Sequence, residues 1–134
     1  MVFELELDFA ERLLVVRIGG FWTEKTMRAF AEQLSSKMAD IGRIGDKWGT
    51  ICVAEDLGPQ QQWVVDRHRE IFLSHRDVWG DRTATVMKGA LVRNQLKRVL
   101  PASALNIFDD EASAREYLRG RLGAQKANVA AVNS

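Results

Sequence analysis

Two apolar stretches near the start of the chain, VFELEL at Val2–Leu7 and LLVVRI at Leu13–Ile18, decide the fold. In the first stretch apolar residues alternate with glutamates, which predicts a strand with one face in solvent. The second stretch is almost continuously apolar, which predicts a strand that lies deeper in the sheet. Because only residues 8–12 separate them, and these are mostly polar, the two strands are predicted to form an antiparallel hairpin.

Beyond the hairpin, helical and strand patterns alternate. A helix is predicted to begin at the N-cap Thr23 and to end at Gly42, with a regular part over Thr23–Ala39. The remaining predicted elements are a buried strand at Thr50–Ala54, a helix at Gln60–His75, a strand at Arg82–Met87, a helix at Ala90–Leu100, a strand at Ala104–Phe108 and a helix from Asp109 or Asp110 to Gly123. The order β-β-α-β-α-β-α-β-α predicts an α/β fold: a mixed, mostly parallel five-stranded sheet with four helices.

The charge balance and the apolar content of the chain argue against a nucleic-acid-binding or a membrane-spanning protein. The 134 residues carry 19 Lys and Arg against 18 Asp and Glu, a net charge of +1, and 46% are hydrophobic. We expect one domain over residues 1–123 and a flexible tail over residues 124–134. Near-zero net charge argues against a nucleic-acid partner. Because no apolar run approaches the roughly 20 residues needed to span a bilayer, and Met1–Asp8 does not resemble a signal peptide, we expect a cytoplasmic protein with no transmembrane segment.

Four stretches of the chain are typical of a known family. They are FELELD at Phe3–Asp8, ERLLVVRIGGFWT at Glu11–Thr23, AEDL at Ala54–Leu57 and ALNIFDDEASAREYL at Ala104–Leu118. With them the chain resembles the STAS family, and most closely its bacterial single-domain branch, often called anti-sigma-factor-antagonist-like. The resemblance extends over about residues 3–123. None of these stretches is a catalytic signature, so the resemblance implies a fold and a protein-interaction role rather than an enzymatic activity.

Regulatory members of the STAS family carry a phosphorylatable Ser or Thr after the central strand. The matching stretch, Glu55–Val65, reads EDLGPQQQWVV and contains no hydroxyl group. The resemblance therefore implies a non-enzymatic binding or protein-interaction module without that switch. The same fold group is similar to the CRAL-TRIO lipid-transfer domains, which implies, as an alternative, a groove for a small apolar ligand or lipid.

The predicted ligand or partner surface lies where the central strand gives way to the second helix. Its residues are Glu55, Asp56, Gln60, Trp63 and Phe72. In open α/β sheets ligands gather at this edge, although a plain turn with helix capping would need the same acidic residues. Partner contact or self-association is expected through the second helix and the loop at residues 55–62, and an open sheet edge would allow a dimer.

The alternative function needs an apolar pocket. A carrier or sensor of a small apolar ligand would line it with Phe30, Leu34, Trp63 and Phe72. The four tryptophans of the chain fit two interpretations, either caps on the core or an exposed aromatic rim around such a groove.

A second candidate surface is basic. Lys88, Arg93 and Lys97 form part of a local cluster of cations on and before the predicted third helix. It is either a solvated helix face or a docking patch for an anion or an acidic partner. No aromatic residues are interleaved with these cations, which argues against binding of single-stranded nucleic acid.

Metal and nucleophile chemistry find little support in the sequence. His68 and His75 lie seven residues apart on one predicted helix, roughly 10 Å along its axis, too far to share one metal ion. Cys52 lies within the apolar strand and is best interpreted as a small core residue. We therefore predict no metal, no cofactor and no enzymatic activity.

Overall fold

A computed structural model describes residues 2–56, 60–87, 94 and 106–133. Over these ranges the chain forms five strands and three long helices. In chain order they are β1 (Phe3–Asp8), β2 (Leu13–Gly19), α1 (Glu24–Ile44), β3 (Gly49–Asp56), α2 (Gln62–Trp79), β4 (Thr83–Val86), β5 (Ile107–Phe108) and α3 (Glu111–Asn133).

The strands form one mixed sheet in the order β1-β2-β3-β4-β5. β1 and β2 pair antiparallel with Leu5 opposite Val16, as the hairpin pattern predicted, and the other three pairings are parallel. The α/β class with a mixed five-stranded sheet is thus confirmed. The helix predicted at residues 90–100 lies outside the described residues except for Asn94, which is helical.

The two faces of the sheet are covered by different helices. Alternate residues of β2 divide between them: Leu14 and Val16 belong to the apolar cluster that α1 and α2 complete, and Leu13 and Val15 belong to the cluster that α3 completes. These four side chains are at most 5% exposed. The continuous apolar run of β2 is therefore explained by a strand buried on both faces.

The ends of α1 follow from two local interactions. At its start the Thr23 hydroxyl accepts a hydrogen bond from the backbone N–H of Thr26 at 3.2 Å, which confirms the predicted N-cap. At its end Gly45 adopts φ 83° and its N–H donates to the Ile41 carbonyl at 3.2 Å. The prediction that Gly42 ends this helix is wrong, because the left-handed residue that closes it is Gly45.

Two further predicted helix ends differ from the structure. α2 continues to Trp79 rather than ending at His75, and Gly80, at φ 60°, follows it. α3 passes through Gly123 and continues to Asn133, so the predicted end at Gly123 is wrong. A glycine inside a helix costs about 1 kcal/mol relative to alanine, which is too little to end a helix by itself.

Ion pairs fasten α3 to the β1–β2 hairpin. Arg17 binds Glu111 through two hydrogen bonds of 2.7 and 3.2 Å. Arg115 binds Glu111 at 2.9 Å and reaches Asp8 at 3.2 Å. One turn further along α3, Arg119 holds Glu11 at 2.7 Å. We call these six residues of the hairpin and α3 the hairpin–α3 ion-pair network.

Acid is predicted to weaken this network. The backbone N–H of Glu11 lowers the pKa of Asp8, and Arg17 lowers the pKa of Glu111. Because the unfolded chain then takes up protons before the folded one does, the free energy of unfolding falls as the pH drops through the carboxyl range, near pH 4 and below.

The variant Arg115→Gln removes two of these ion pairs, and we expect it to lower the free energy of unfolding by about 1–2 kcal/mol at pH 7 and to reduce the loss at pH 3. Urea unfolding at both pH values measures this. Arg43→Gln is the control, since Arg43 pairs with Asp40 at an exposed position on α1. Equal pH dependence in the wild type and Arg115→Gln would contradict the prediction.

Candidate functional site

The carboxyl ends of β2 and β3 meet at one edge of the sheet, where Gly19 lies opposite Asp56 in the parallel ladder. Directly after β2, Gly20 turns the chain at φ 67° and the next residue, Phe21, is 67% exposed. The N-terminal end of α2 arrives at the same edge. We call the set Phe21, Glu55, Asp56, Gln60 and Trp63 the carboxyl-edge surface.

Trp22 explains why Phe21 points outward. The indole N–H of Trp22 donates to the Gly19 carbonyl at 3.0 Å, and the side chain is only 1% exposed. Its ring packs against Phe30 at 5.2 Å and against Phe3 at 5.9 Å, measured between centroids. Since Trp22 occupies the core position of this short connection, its neighbour Phe21 is left on the surface.

Gln60 and Trp63, both predicted site residues, lie beside this connection. The Gln60 side-chain amide donates to the Gly20 carbonyl at 3.0 Å and so joins the segment before α2 to the turn after β2. Trp63 is half-buried against the α1/α2-side cluster, and its indole N–H donates to the Gln61 side-chain oxygen at 2.7 Å. The Gln60–Gly20 hydrogen bond, which joins residues 40 apart, and the packing of Trp63 on the core thus hold this part of the carboxyl-edge surface in place.

For the other predicted site residues the structure describes either the backbone alone or nothing. At Glu55 and Asp56, the last two residues of β3, the backbone alone is described, and the same holds for Phe72 within α2. Lys88, Arg93 and Lys97 lie outside the described residues. The neighbouring cation Arg82 is placed at the opposite, amino edge of the sheet, where its Nε donates to the Trp48 carbonyl at 3.1 Å.

Phe21 was missed by the sequence analysis of candidate site residues. The signal was present, because two aromatic residues stand between the glycines that end β2 and the N-cap Thr23. A connection this short buries one of two adjacent side chains and exposes the other. Which of the two is buried depends on the tertiary contacts of Trp22, and these are not visible in the sequence.

The side chains predicted to line an apolar-ligand pocket lie in or against the core. Phe30 and Leu34 are 3% and 5% exposed and belong to the same cluster as Trp22. Trp63 packs against that cluster from its outer side. Phe30 and Leu34 therefore contact the protein's own side chains.

His68 lies in an aromatic environment on α2. Its ring meets Trp22 edge-on at 4.6 Å and Phe30 at 5.6 Å, and among the described residues its Nε2 has no hydrogen-bond partner. Burial lowers the pKa of His68 to about 4, so the imidazole is neutral at neutral pH.

The variant His68→Leu tests this environment. In the unfolded wild type His68 is protonated below about pH 6.5, whereas in the folded protein it is protonated only below about pH 4. Because protons then bind the unfolded state preferentially, the free energy of unfolding falls as the pH drops from 6.5 to 4. Replacement by leucine removes this dependence, which amounts to at most about 1.4 kcal/mol per pH unit. Urea unfolding of both proteins at pH 4.5 and 7 measures the difference, and identical slopes would contradict it.

Cys52 packs on the α1/α2 side of β3, in agreement with its interpretation as a core residue. Burial raises the pKa of its thiol to about 12, which keeps the sulfur protonated at neutral pH.

We expect iodoacetamide to modify Cys52 at pH 8 about tenfold more slowly, or slower still, in the folded protein than in 8 M urea, because only the thiolate reacts. Mass spectrometry of timed samples gives both rates, and the same reagent on free cysteine corrects for the effect of urea. Equal rates would show that the thiol is not enclosed.

No family model, no curated protein and no solved structure matches this chain. Within the described ranges, no group of three or more His, Cys, Asp or Glu side chains is arranged to hold a metal ion. None of the helices, over the part of the chain that was described, combines the length and apolar character needed to cross a membrane.

Proposed function

We propose that this chain is a non-enzymatic, STAS-like binding module that contacts a protein partner through the carboxyl-edge surface. The observation that carries the proposal is Phe21, an aromatic residue that is 67% exposed just after the end of β2. Full burial of such a ring stabilises a complex by about 1.5–3 kcal/mol, and aromatic residues are typical anchors of protein interfaces.

The backbone that carries Phe21 is fixed before any partner arrives. Hydrogen bonds hold both preceding residues: Trp22 donates to the Gly19 carbonyl, and Gln60 donates to the Gly20 carbonyl. A partner therefore has little of this segment to order on binding, which reduces the entropic cost of association.

The chemistry of the surface supports a contact that is not switched by phosphorylation in this loop. Two acidic residues, Glu55 and Asp56, stand at the strand end beside the Gly20 turn, and residues 55–65 contain no Ser or Thr. Acidic residues at this strand end favour a partner with an apolar centre and basic groups near it. The neutral states that burial imposes on His68 and Cys52 also support a binding role over acid–base or thiol catalysis.

A carrier or sensor of a small apolar ligand is the second candidate, and His68 is the observation that favours it. Its ring lies between those of Trp22 and Phe30, and its Nε2 has no hydrogen-bond partner within the described part of the chain, so a ligand's polar end could supply one. Native mass spectrometry of protein purified from its own host tests this. A consistently bare mass would count against a carrier.

Replacing Phe21 by serine is expected to weaken the partner complex at least tenfold, because the anchor ring is lost while the fold is retained. The partner is captured from cells of the source organism, identified by mass spectrometry and purified. Its dissociation constant for each variant is then measured by isothermal titration calorimetry.

Phe9→Ser is the matched control, because Phe9 is 66% exposed at the tip of the hairpin, away from the carboxyl-edge surface. It should leave affinity within about twofold of the wild type. Charge reversal of Asp56 to lysine should weaken binding as well. Equal effects of Phe21→Ser and Phe9→Ser, or full binding by Phe21→Ser, would overturn the proposal.

A further inference from the structure

Among the strands that the structure describes, β1 lies at one edge of the sheet, and the register of the hairpin determines which of its backbone groups have no partner in β2. The Gly19 N–H donates to the Val2 carbonyl at 2.8 Å, so Val2 and Gly19 form a hydrogen-bonded pair of the antiparallel ladder. Such pairs alternate along the strands, so Glu4 and Glu6 also turn their backbone groups toward β2. The N–H and C=O groups of Phe3, Leu5 and Leu7 therefore point away from the sheet.

The two faces of this edge differ in chemistry. Phe3, Leu5 and Leu7 pack against the apolar cluster on the α1/α2 side. Glu4 and Glu6 are exposed on the other face, and neither forms an ion pair within 4.0 Å among the described residues. The nearest strand cation, Arg17, is already bound by two hydrogen bonds to Glu111.

A second copy of this chain is a poor occupant of the edge. If two β1 strands paired antiparallel through their outward backbone groups, the leucines of both copies would lie on one face of the joined sheet and the glutamates of both copies on the other. With Leu5 opposite Leu5 of the other copy, Glu4 of each chain lies opposite Glu6 of the other. Shifted registers place Glu4 opposite Glu4 or Glu6 opposite Glu6. Like charges directly opposite each other destabilise a strand pair, so this edge disfavours self-association.

We infer that the β1 edge binds an extended segment of another protein in which apolar and basic residues alternate. Its backbone would pair with the outward groups of Phe3, Leu5 and Leu7 and so add a sixth strand to the sheet. Its apolar side chains would continue the cluster under α1, and its lysines or arginines would lie opposite Glu4 and Glu6. The β1 edge shares no residue with the carboxyl-edge surface, and the inference does not depend on that proposal.

The probes are two capped seven-residue peptides, one alternating valine with lysine and the other alternating valine with glutamate. Titration followed by ¹H–¹⁵N NMR locates the site. We expect the lysine peptide to bind at least tenfold more tightly. It should also slow hydrogen exchange of the Phe3, Leu5 and Leu7 amides, which face the edge. Equal affinities, or shifts confined to other residues, would overturn the inference, and so would a β1-paired dimer of the wild type.

A charge exchange tests the role of the glutamates. The double variant Glu4→Lys/Glu6→Lys should lose the lysine peptide and bind the glutamate peptide instead. The control Glu32→Lys/Glu70→Lys makes the same change of net charge at exposed helix positions and should keep the wild-type preference. Equal loss in both double variants would show that only net charge matters and would overturn the inference.

Proline at residue 5 tests the backbone contact. Leu5→Pro removes one outward N–H and leaves the hydrogen-bonded pairs with β2 in place, as edge strands allow. We expect it to weaken the lysine peptide at least fivefold while the Glu4 and Glu6 amides stay protected. Unchanged affinity would contradict a strand-addition mode. Should the proline variant fail to fold, the charge exchange decides the question by itself.

Discussion

Burial of β2 on both faces is the constraint on which the rest of the structure depends. Its alternate side chains pack against α1 and α2 on one face and against α3 on the other. The apolar side chains of β2 are therefore all buried only when the three helices are in place. The antiparallel β1 and the parallel β3 then take the two free edges of β2. A polar residue at Leu14 would disturb the packing of α1 and α2, and one at Val15 would disturb the packing of α3.

The exposed aromatic residue of the carboxyl-edge surface results from the packing of Trp22 into the core. The connection between β2 and α1 is short, and the core accepts one large ring from it, that of Trp22. Phe21 is excluded and exposed. Gln60 then fixes the connection from the far side by binding the Gly20 carbonyl. The exposed ring thus rests on a segment that the interior of the protein, rather than the surface itself, holds in place.

The hairpin and the Thr23 cap could be predicted from the sequence, because each depends on residues close together in the chain. The mixed sheet could be predicted from the order of strand and helix patterns. The apolar run of β2 predicted a strand deep in the sheet, but it did not predict which helices cover its two faces. The helix ends could be predicted less well. Gly42 and Gly45 are equivalent as sequence signals, and only the packing of Ile41 and the left-handed φ of Gly45 distinguish them. Gly123 likewise has the composition of a helix end but lies inside α3.

The candidate site was predicted in part. The location at the ends of β2 and β3, with Gln60 and Trp63, follows from the general behaviour of parallel strands. The exposure of Phe21 and the aromatic enclosure of His68 depend on contacts across the core, from α1 to α2. Hydrophobic patterning identifies apolar residues, but it does not state which of two adjacent rings the core will accept.

The hairpin–α3 ion-pair network joins residues far apart in the chain. Asp8 and Arg115 are separated by 107 positions, and Glu11 and Arg119 by 108. A contact of such high sequence separation closes a long loop, so it forms late and slows folding relative to a chain of local contacts. During synthesis the hairpin is complete long before its partners in α3 emerge. One face of β2 therefore stays uncovered until all five strands have been synthesised, and exposed apolar surface of this kind makes a nascent chain prone to aggregation.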